Sequence, residues 1–274
     1  MLPVEEARNN PFAPGLMKGR VCIVTGGGTG IGRATAVELL QLGARVAIGS
    51  RKPEHLEPTV RELSSLGEIV ALPCDIREPE SVATFVGGVL DKLGRIDVLV
   101  NNAGGQFPTS AEQLTPRGWE AVVRNNLNGT FYMTREVATR AMIPARAGAI
   151  VNVIANIARG FPGMVHTGAA RAGVENMTKT LGVEWAQFDV RVNAVAPGII
   201  YSSGIAQYPP ELVEMGVART PQKRMGSVEE VAHAIVYLAS PAAAFVTGTT
   251  LQIDGGASLW GDTWIIPPRA QGGA

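Results

Sequence analysis

A chain of 274 residues with 24 Lys+Arg and 24 Asp+Glu carries no formal net charge. That length suits one large domain with a core of its own, and the charge balance argues against a nucleic-acid partner. Two cysteines and three scattered histidines without paired spacing offer no zinc set, and no run reaches the ~18 apolar residues that a membrane span needs.

Residues 1–19 read as an N-terminal extension. Glu5, Glu6 and Arg8 near its start, with no apolar run, are unlike a secretory signal. Val21-Cys22-Ile23-Val24 is the first strand-like run, and helical spacing follows over residues 34–42. Further strands are predicted over 44–48, 69–72, 96–100, 149–154, 190–195 and 249–253. They are short, continuous and rich in Val and Ile, as strands covered on both faces are. Cys22 and Cys74 each sit in such a run, which predicts reduced, buried thiols. Two long helices are predicted, over 119–142 and 166–187, with apolar residues spread broadly enough to bury more than one face. Strands alternating with helices predict an α/β fold: one Rossmann-type doubly wound domain over 20–260, with a seven-stranded parallel sheet and helices on both faces. Residues 261–274, rich in Pro and Gly from Pro267, read as a loose tail. Their end matches no peroxisomal or reticular retention tripeptide, so a soluble cytoplasmic protein is the expectation.

Thr25-Gly26-Gly27-Gly28-Thr29-Gly30-Ile31-Gly32 follows the first strand and opens the first helix. Glycines let the backbone approach a pyrophosphate, and the helix N-terminus offers it free N–H groups. The second strand ends in Ser50-Arg51-Lys52, where an NAD-binding protein usually places an acid on the ribose hydroxyls. A guanidinium there suits a 2′-phosphate instead, and Arg33 adds positive charge nearby. NADP(H) is therefore the expected cofactor.

The spacing Gly26-x-x-x-Gly30-x-Gly32 resembles that of the short-chain dehydrogenase/reductase family, and the resemblance covers about residues 16–260. It implies that Cys74-Asp75-Ile76 borders the adenine, although Asp75 read by itself equally suits a helix N-cap. It also implies that Asn102, Ala103 and Gly104 lie along the cofactor. Pro197, Gly198 and Ile200, with Ser202 in the place of the usual Thr, then seat the nicotinamide carboxamide. Asp254-Gly255-Gly256 completes the pattern, and a homotetramer is the usual assembly.

The family's catalytic set is Asn, Ser, Tyr and Lys. Asn126 matches the first, and the others are replaced. Ile154 and Ala155 stand at the Ser place with Asn156 beside them, Thr167 at the Tyr place and Arg171 at the Lys place, one turn on and on the same face. Gly104-Gly105-Gln106-Phe107, Gly160-Phe161-Pro162 and residues 166–176 resemble the peroxisomal trans-2-enoyl-CoA reductases, and next to them the 2,4-dienoyl-CoA reductases. The latter keep a Tyr after the fifth strand that this chain lacks.

Reduction of an enoyl thioester develops negative charge on the thioester oxygen. The site then needs donors aimed at that oxygen, and no phenol to protonate an alkoxide. Asn126, the Thr167 hydroxyl and Tyr201 are candidate donors. Arg171 suits the ribose hydroxyls and lends charge. His166 is either a proton relay or a packed helix-start residue. An acyl-CoA substrate is the expected partner. Two other readings stay open: a carbonyl or alcohol oxidoreductase with an atypical site, and a protein that binds NADP(H) without catalysis.

Overall fold

The computed structural model describes residues 11–51, 53–202, 204–205 and 208–260. Six strands enter one parallel sheet in turn: β1 (Val21–Thr25), β2 (Arg45–Ser50), β3 (Ile69–Pro73), β4 (Val98–Asn101), β5 (Gly148–Val153) and β6 (Val190–Pro197). A small separate pair follows, β7 (Ile200–Tyr201) with β8 (Gly226–Ser227), and β9 (Thr250–Ile253) returns to the sheet. The order across the sheet is β3-β2-β1-β4-β5-β6-β9, with every pairing parallel. The order reverses between β1 and β4, so a crevice opens beyond their C-terminal ends, where open α/β sheets bind ligands.

The sheet is sealed on both faces because successive side chains point to opposite sides. Cys22 and Val24 of β1 join the core layer under α1 (Gly30–Gln41) and α9 (Val228–Ala239). Val21 and Ile23 join the other layer, with Phe85 of α3 (Pro79–Leu93) and Leu181 of α7 (Val165–Glu184). Segment 11–19 packs on the first layer: Met17 is fully buried and donates its N–H to Leu42 O at 3.1 Å.

The seven predicted sheet strands and their parallel, doubly wound arrangement are present. The fourth starts at Val98 rather than residue 96, and the Asp97 carboxylate accepts the Val21 N–H at 2.8 Å. The predicted helix over 119–142 is broken into α4 (Pro116–Val123), a π-turn at Arg124–Asn128, α5 (Gly129–Val137), a second π-turn at Ala138–Met142 and a short α6 (Ile143–Ala145). Thr115 caps α4 by accepting the Gly118 N–H, with Pro116 at the first helical position. The β7–β8 pair and α8 (Pro210–Ala218) were outside the sequence expectation, because two-residue strands carry no hydrophobic period.

A buried polar chain ties two helices to the sheet. Asn101 Nδ2 donates to Thr134 Oγ1 (2.8 Å) and Asn152 Oδ1 (2.9 Å), and Asn152 Nδ2 donates to Thr178 Oγ1 (2.9 Å). α5 and α7 are thereby fixed on β4 and β5, and α7 carries the residues considered next. Among the described residues no helix is long and apolar enough to cross a membrane. Lys52 and residues 261–274 lie outside the described residues.

Candidate active site

A cleft of about 330 Å³ opens at the β1/β4 switch point. The glycine loop builds its floor. Gly26 has φ +65°, and a Cβ on Gly32 would stand 2.4 Å from Gly26 O, so neither position accepts a side chain. Thr25 Oγ1 accepts the N–H groups of Asn102 (3.0 Å) and Ala103 (2.9 Å), and Asn102 Nδ2 donates to Thr25 O at 2.9 Å. These bonds lock the ends of β1 and β4 together. The first turn of α1 holds no acid, and the Thr29 side chain makes no capping bond. That helix end is therefore open to an anion.

NADP(H) fits this cradle. Ser50, Arg51, Cys74 and Ile76 line the cleft at the β2 and β3 ends, and no carboxylate stands at the end of β2. Gly26, Thr29, Gly30, Ile31, Asn102, Ala103, Gly104 and Ser202 line the rest, along with Gly49, Asn125 and Gly204, which sequence reasoning missed. At Gly49 a Cβ would meet the Phe85 ring at 2.9 Å, a reason for glycine that only the packed structure shows. The Arg33 guanidinium pairs with Glu62 of α2 (Pro53–Leu63). Asp75 is not the helix N-cap, since α3 starts at Pro79 behind Glu78. Its carboxylate instead accepts the Arg77 N–H and both prongs of that guanidinium, which hold it below the usual carboxylate range. Cys74 lies one residue beyond β3, and burial pushes its thiol up to about 12. Both cysteines are free and buried.

Beyond Gly104 the chain meets α7. His166, Thr167, Ala170, Arg171, Val174 and Thr178 form the buried face of that helix at three- and four-residue spacing. Arg171 is 7 % exposed. Its Nη1 donates to Val153 O at 2.9 Å, its Nε has no partner, and no carboxylate pairs with it among the described residues. Burial without a counter-charge pulls its pKa down to about 10, so it remains a cation near neutral pH. A Cβ on Gly104 would meet Arg171 Nη2 at 2.4 Å and Asn126 Oδ1 at 2.7 Å. Glycine at 104 is thus what lets a bare guanidinium reach the cleft wall.

Asn126 sits in the first π-turn, fully buried. Its Nδ2 donates to Gly105 O (2.7 Å) and Val122 O (3.0 Å), and Oδ1 accepts the Gly105 N–H (3.3 Å). Both amide hydrogens are engaged, so in this state it shapes the wall and presents no free donor. Thr167 is fully buried, its N–H donating to His166 Nδ1 at 2.8 Å and its Oγ1 lying 3.3 Å from that nitrogen. An Nδ1 that accepts leaves the proton on Nε2, which is buried without a partner. Phe107 packs edge-on against the same ring, with centroids 4.6 Å apart.

Asn156 is turned to another task, its Nδ2 donating to Asp254 Oδ2 at 2.9 Å. Asp254 also accepts the N–H groups of Gly256 (2.9 Å) and Ser258 (2.7 Å) and so pins the β5 loop to the end of β9. Ile154 belongs to the core. Pro197 ends β6, its carbonyl accepting the Asn156 N–H at 3.0 Å, and a Cβ on Gly198 would crowd Asp254. Ile200 is buried, while Tyr201 is 61 % exposed and off the cleft lining.

The family model described as Enoyl-(Acyl carrier protein) reductase matches residues 26–258. The chain belongs to the short-chain dehydrogenase/reductase family. It is 37% identical to a probable 2,4-dienoyl-CoA reductase of Bacillus subtilis, over 92% of this chain and 99% of that one. It is 39% identical to a 3-oxoacyl-acyl-carrier-protein reductase of Thermotoga maritima, over 88% and 98%. Among solved structures it resembles a citronellol catabolism dehydrogenase of Pseudomonas aeruginosa at 49% identity and TM-score 0.81, covering 90% of this chain and 98% of that one. This short-chain dehydrogenase/reductase is an oxidoreductase, and its relatives divide between carbon–carbon and carbon–oxygen double bonds.

Proposed function

We propose that the chain reduces the carbon–carbon double bond of an enoyl thioester, with CoA as the carrier and NADPH as the reductant. NADPH supplies hydride to the β-carbon. The observation that carries the reading is Arg171, a buried cation without a carboxylate, set where the family's Lys stands and beside a Thr where its Tyr stands. Negative charge that appears next to such a cation during the reaction is stabilised far more than in water. An enolate oxygen needs that stabilisation and no phenol on α7. The Val153 carbonyl and the side-chain-free Gly104 hold the guanidinium in place beforehand. The α-carbon takes its proton from water. Relay through His166 would require a proton on Nδ1, which the Thr167 N–H blocks.

A second reading, a carbonyl or alcohol oxidoreductase, is favoured by the 39% and 49% identities to a 3-oxoacyl reductase and a citronellol catabolism dehydrogenase. One set of assays separates them: NADPH oxidation with trans-2-enoyl-CoA and 2,4-dienoyl-CoA of several lengths, NADPH oxidation with acetoacetyl-CoA, and NADP⁺ reduction with citronellol. Turnover of enoyl- or dienoyl-CoA alone supports the first reading. Turnover confined to acetoacetyl-CoA or citronellol replaces it with the second.

A further inference from the structure

One phenol is bonded to the segment that follows β4, and it comes from neither α7 nor Tyr201. Tyr208 lies between β7 and α8, half-buried, and its Oη accepts the Gln106 Nε2–H at 2.6 Å across 102 residues of sequence. The two partners belong to the two chain segments that face each other over the cleft. Ala103 and Gly104 line it from the segment that holds Gln106, and Ser202 and Gly204 line it from the segment that leads to Tyr208. Residues flanking Gln106 contact three of the other candidates. Gly104 abuts Arg171, Gly105 exchanges hydrogen bonds with Asn126, and Phe107 packs on His166. Gln106 therefore ties Tyr208 to a segment whose neighbouring residues meet Arg171, Asn126 and His166.

The bond also has a direction. The amide N–H donates, so the phenol oxygen is an acceptor and its own hydrogen has no acceptor among the described residues. A donor polarised by a bond it accepts gives a stronger bond in turn.

We propose that Tyr208 is a catalytic residue whose hydroxyl donates a hydrogen bond to the thioester carbonyl oxygen of the substrate, and that Gln106 is the positioning residue that aims it. The proposal rests on the enoyl-thioester reading above. No proton leaves Tyr208: the oxygen gains charge as hydride adds to the β-carbon, and water delivers the proton to the α-carbon. The hydroxyl faces the oxygen from the loop side and Arg171 from the α7 side.

Tyr208→Phe removes the donor and keeps the ring. Loss of one such donor lowers kcat by ~100-fold, with KM for crotonyl-CoA changed by under about threefold if the bond strengthens only in the transition state. NADPH affinity, read by nucleotide fluorescence, stays at the level of the unaltered protein and shows that the variant is folded. Gln106→Leu lowers kcat by a smaller factor. The double variant falls no further than Tyr208→Phe alone, since the amide acts through the phenol. Additive losses, an unchanged kcat in Tyr208→Phe, or a larger loss in Tyr201→Phe overturns the assignment while leaving the reductase reading in place. No enoyl- or dienoyl-CoA turnover by the unaltered protein overturns both.

Discussion

Arg171→Met is the substitution on which stability and activity part company. Burial pulls the guanidinium well below its usual value, to about 10, and at ~1.4 kcal/mol per tenfold keeping that charge inside costs ~3 kcal/mol. The cost is present at every pH below about 10 and fades only as the pH rises past that value, so it is complete at neutral pH. Methionine has similar length and no charge. Against the gain stands the lost bond to Val153 O, 2.9 Å in this structure, whose orphaned carbonyl costs ~1–3 kcal/mol. The balance is a stabilisation of ~1 kcal/mol, which for a chain of this size raises the unfolding midpoint by ~2–4 °C. Activity moves the other way: kcat for enoyl-CoA falls by ~100- to 1,000-fold as the preset positive charge is lost. Thermal unfolding without nucleotide, followed by intrinsic fluorescence, tests the first half, and NADPH oxidation tests the second. A midpoint lower than that of the unaltered protein by more than ~4 °C would refute the reasoning, because it would mean that the buried guanidinium is a net stabiliser.

Other perturbations test separate parts of the argument. Arg51→Ser, at the exposed mouth of the cleft, removes charge-assisted bonds worth ~1.5–3 kcal/mol; Kd for NADPH should rise ~10- to 100-fold while that for NADH barely moves. Equal weakening of both would place the 2′-phosphate elsewhere. Asn152→Ala leaves Asn101 Nδ2 and Thr178 Oγ1 without their shared partner and destabilises by ~2–4 kcal/mol in urea unfolding; a loss under ~0.5 kcal/mol denies the network its role. Gly32→Ala drives a methyl against Gly26 O, with a penalty of ~1–3 kcal/mol and weaker nucleotide binding seen in titration. Glu230 caps α9 and pairs with Arg224, chiefly through the Arg224 hydrogen bond, which lowers its carboxyl from 4.5 to about 2. Its contribution is complete above pH 4.5 and fades as the pH falls toward 2. Glu230→Gln should therefore flatten the stability profile in that window, and an unchanged slope would mean that Arg224 does not hold the carboxylate.

The sequence by itself determined the sheet, the cradle and the departure from the family's catalytic set. Val- and Ile-rich runs of four to six residues can be buried on both faces only inside a parallel sheet. A glycine run between β1 and α1 has few uses other than cradling an anion. Thr167 and Arg171 could be placed because four residues along a helix share a face. Those inferences draw on local periodicity, which the chain carries in its own order.

What tertiary structure decided were partnerships between residues far apart in sequence. Arg33 read as positive charge near the cofactor, and only the fold shows it paired with Glu62. Asp75 suited either the adenine or a helix cap, and the cap alternative fell when α3 began elsewhere and Arg77 took the carboxylate. Asn126 read as a donor, yet the π-turn buries it with both amide hydrogens on backbone carbonyls. Tyr201 and Tyr208 are both tyrosines that follow β6, and no periodicity separates one that is 61 % exposed from one that meets Gln106 across 102 residues. A hydrogen-bond donor is defined by what it faces, and what a side chain faces is set only when the strands and helices have packed.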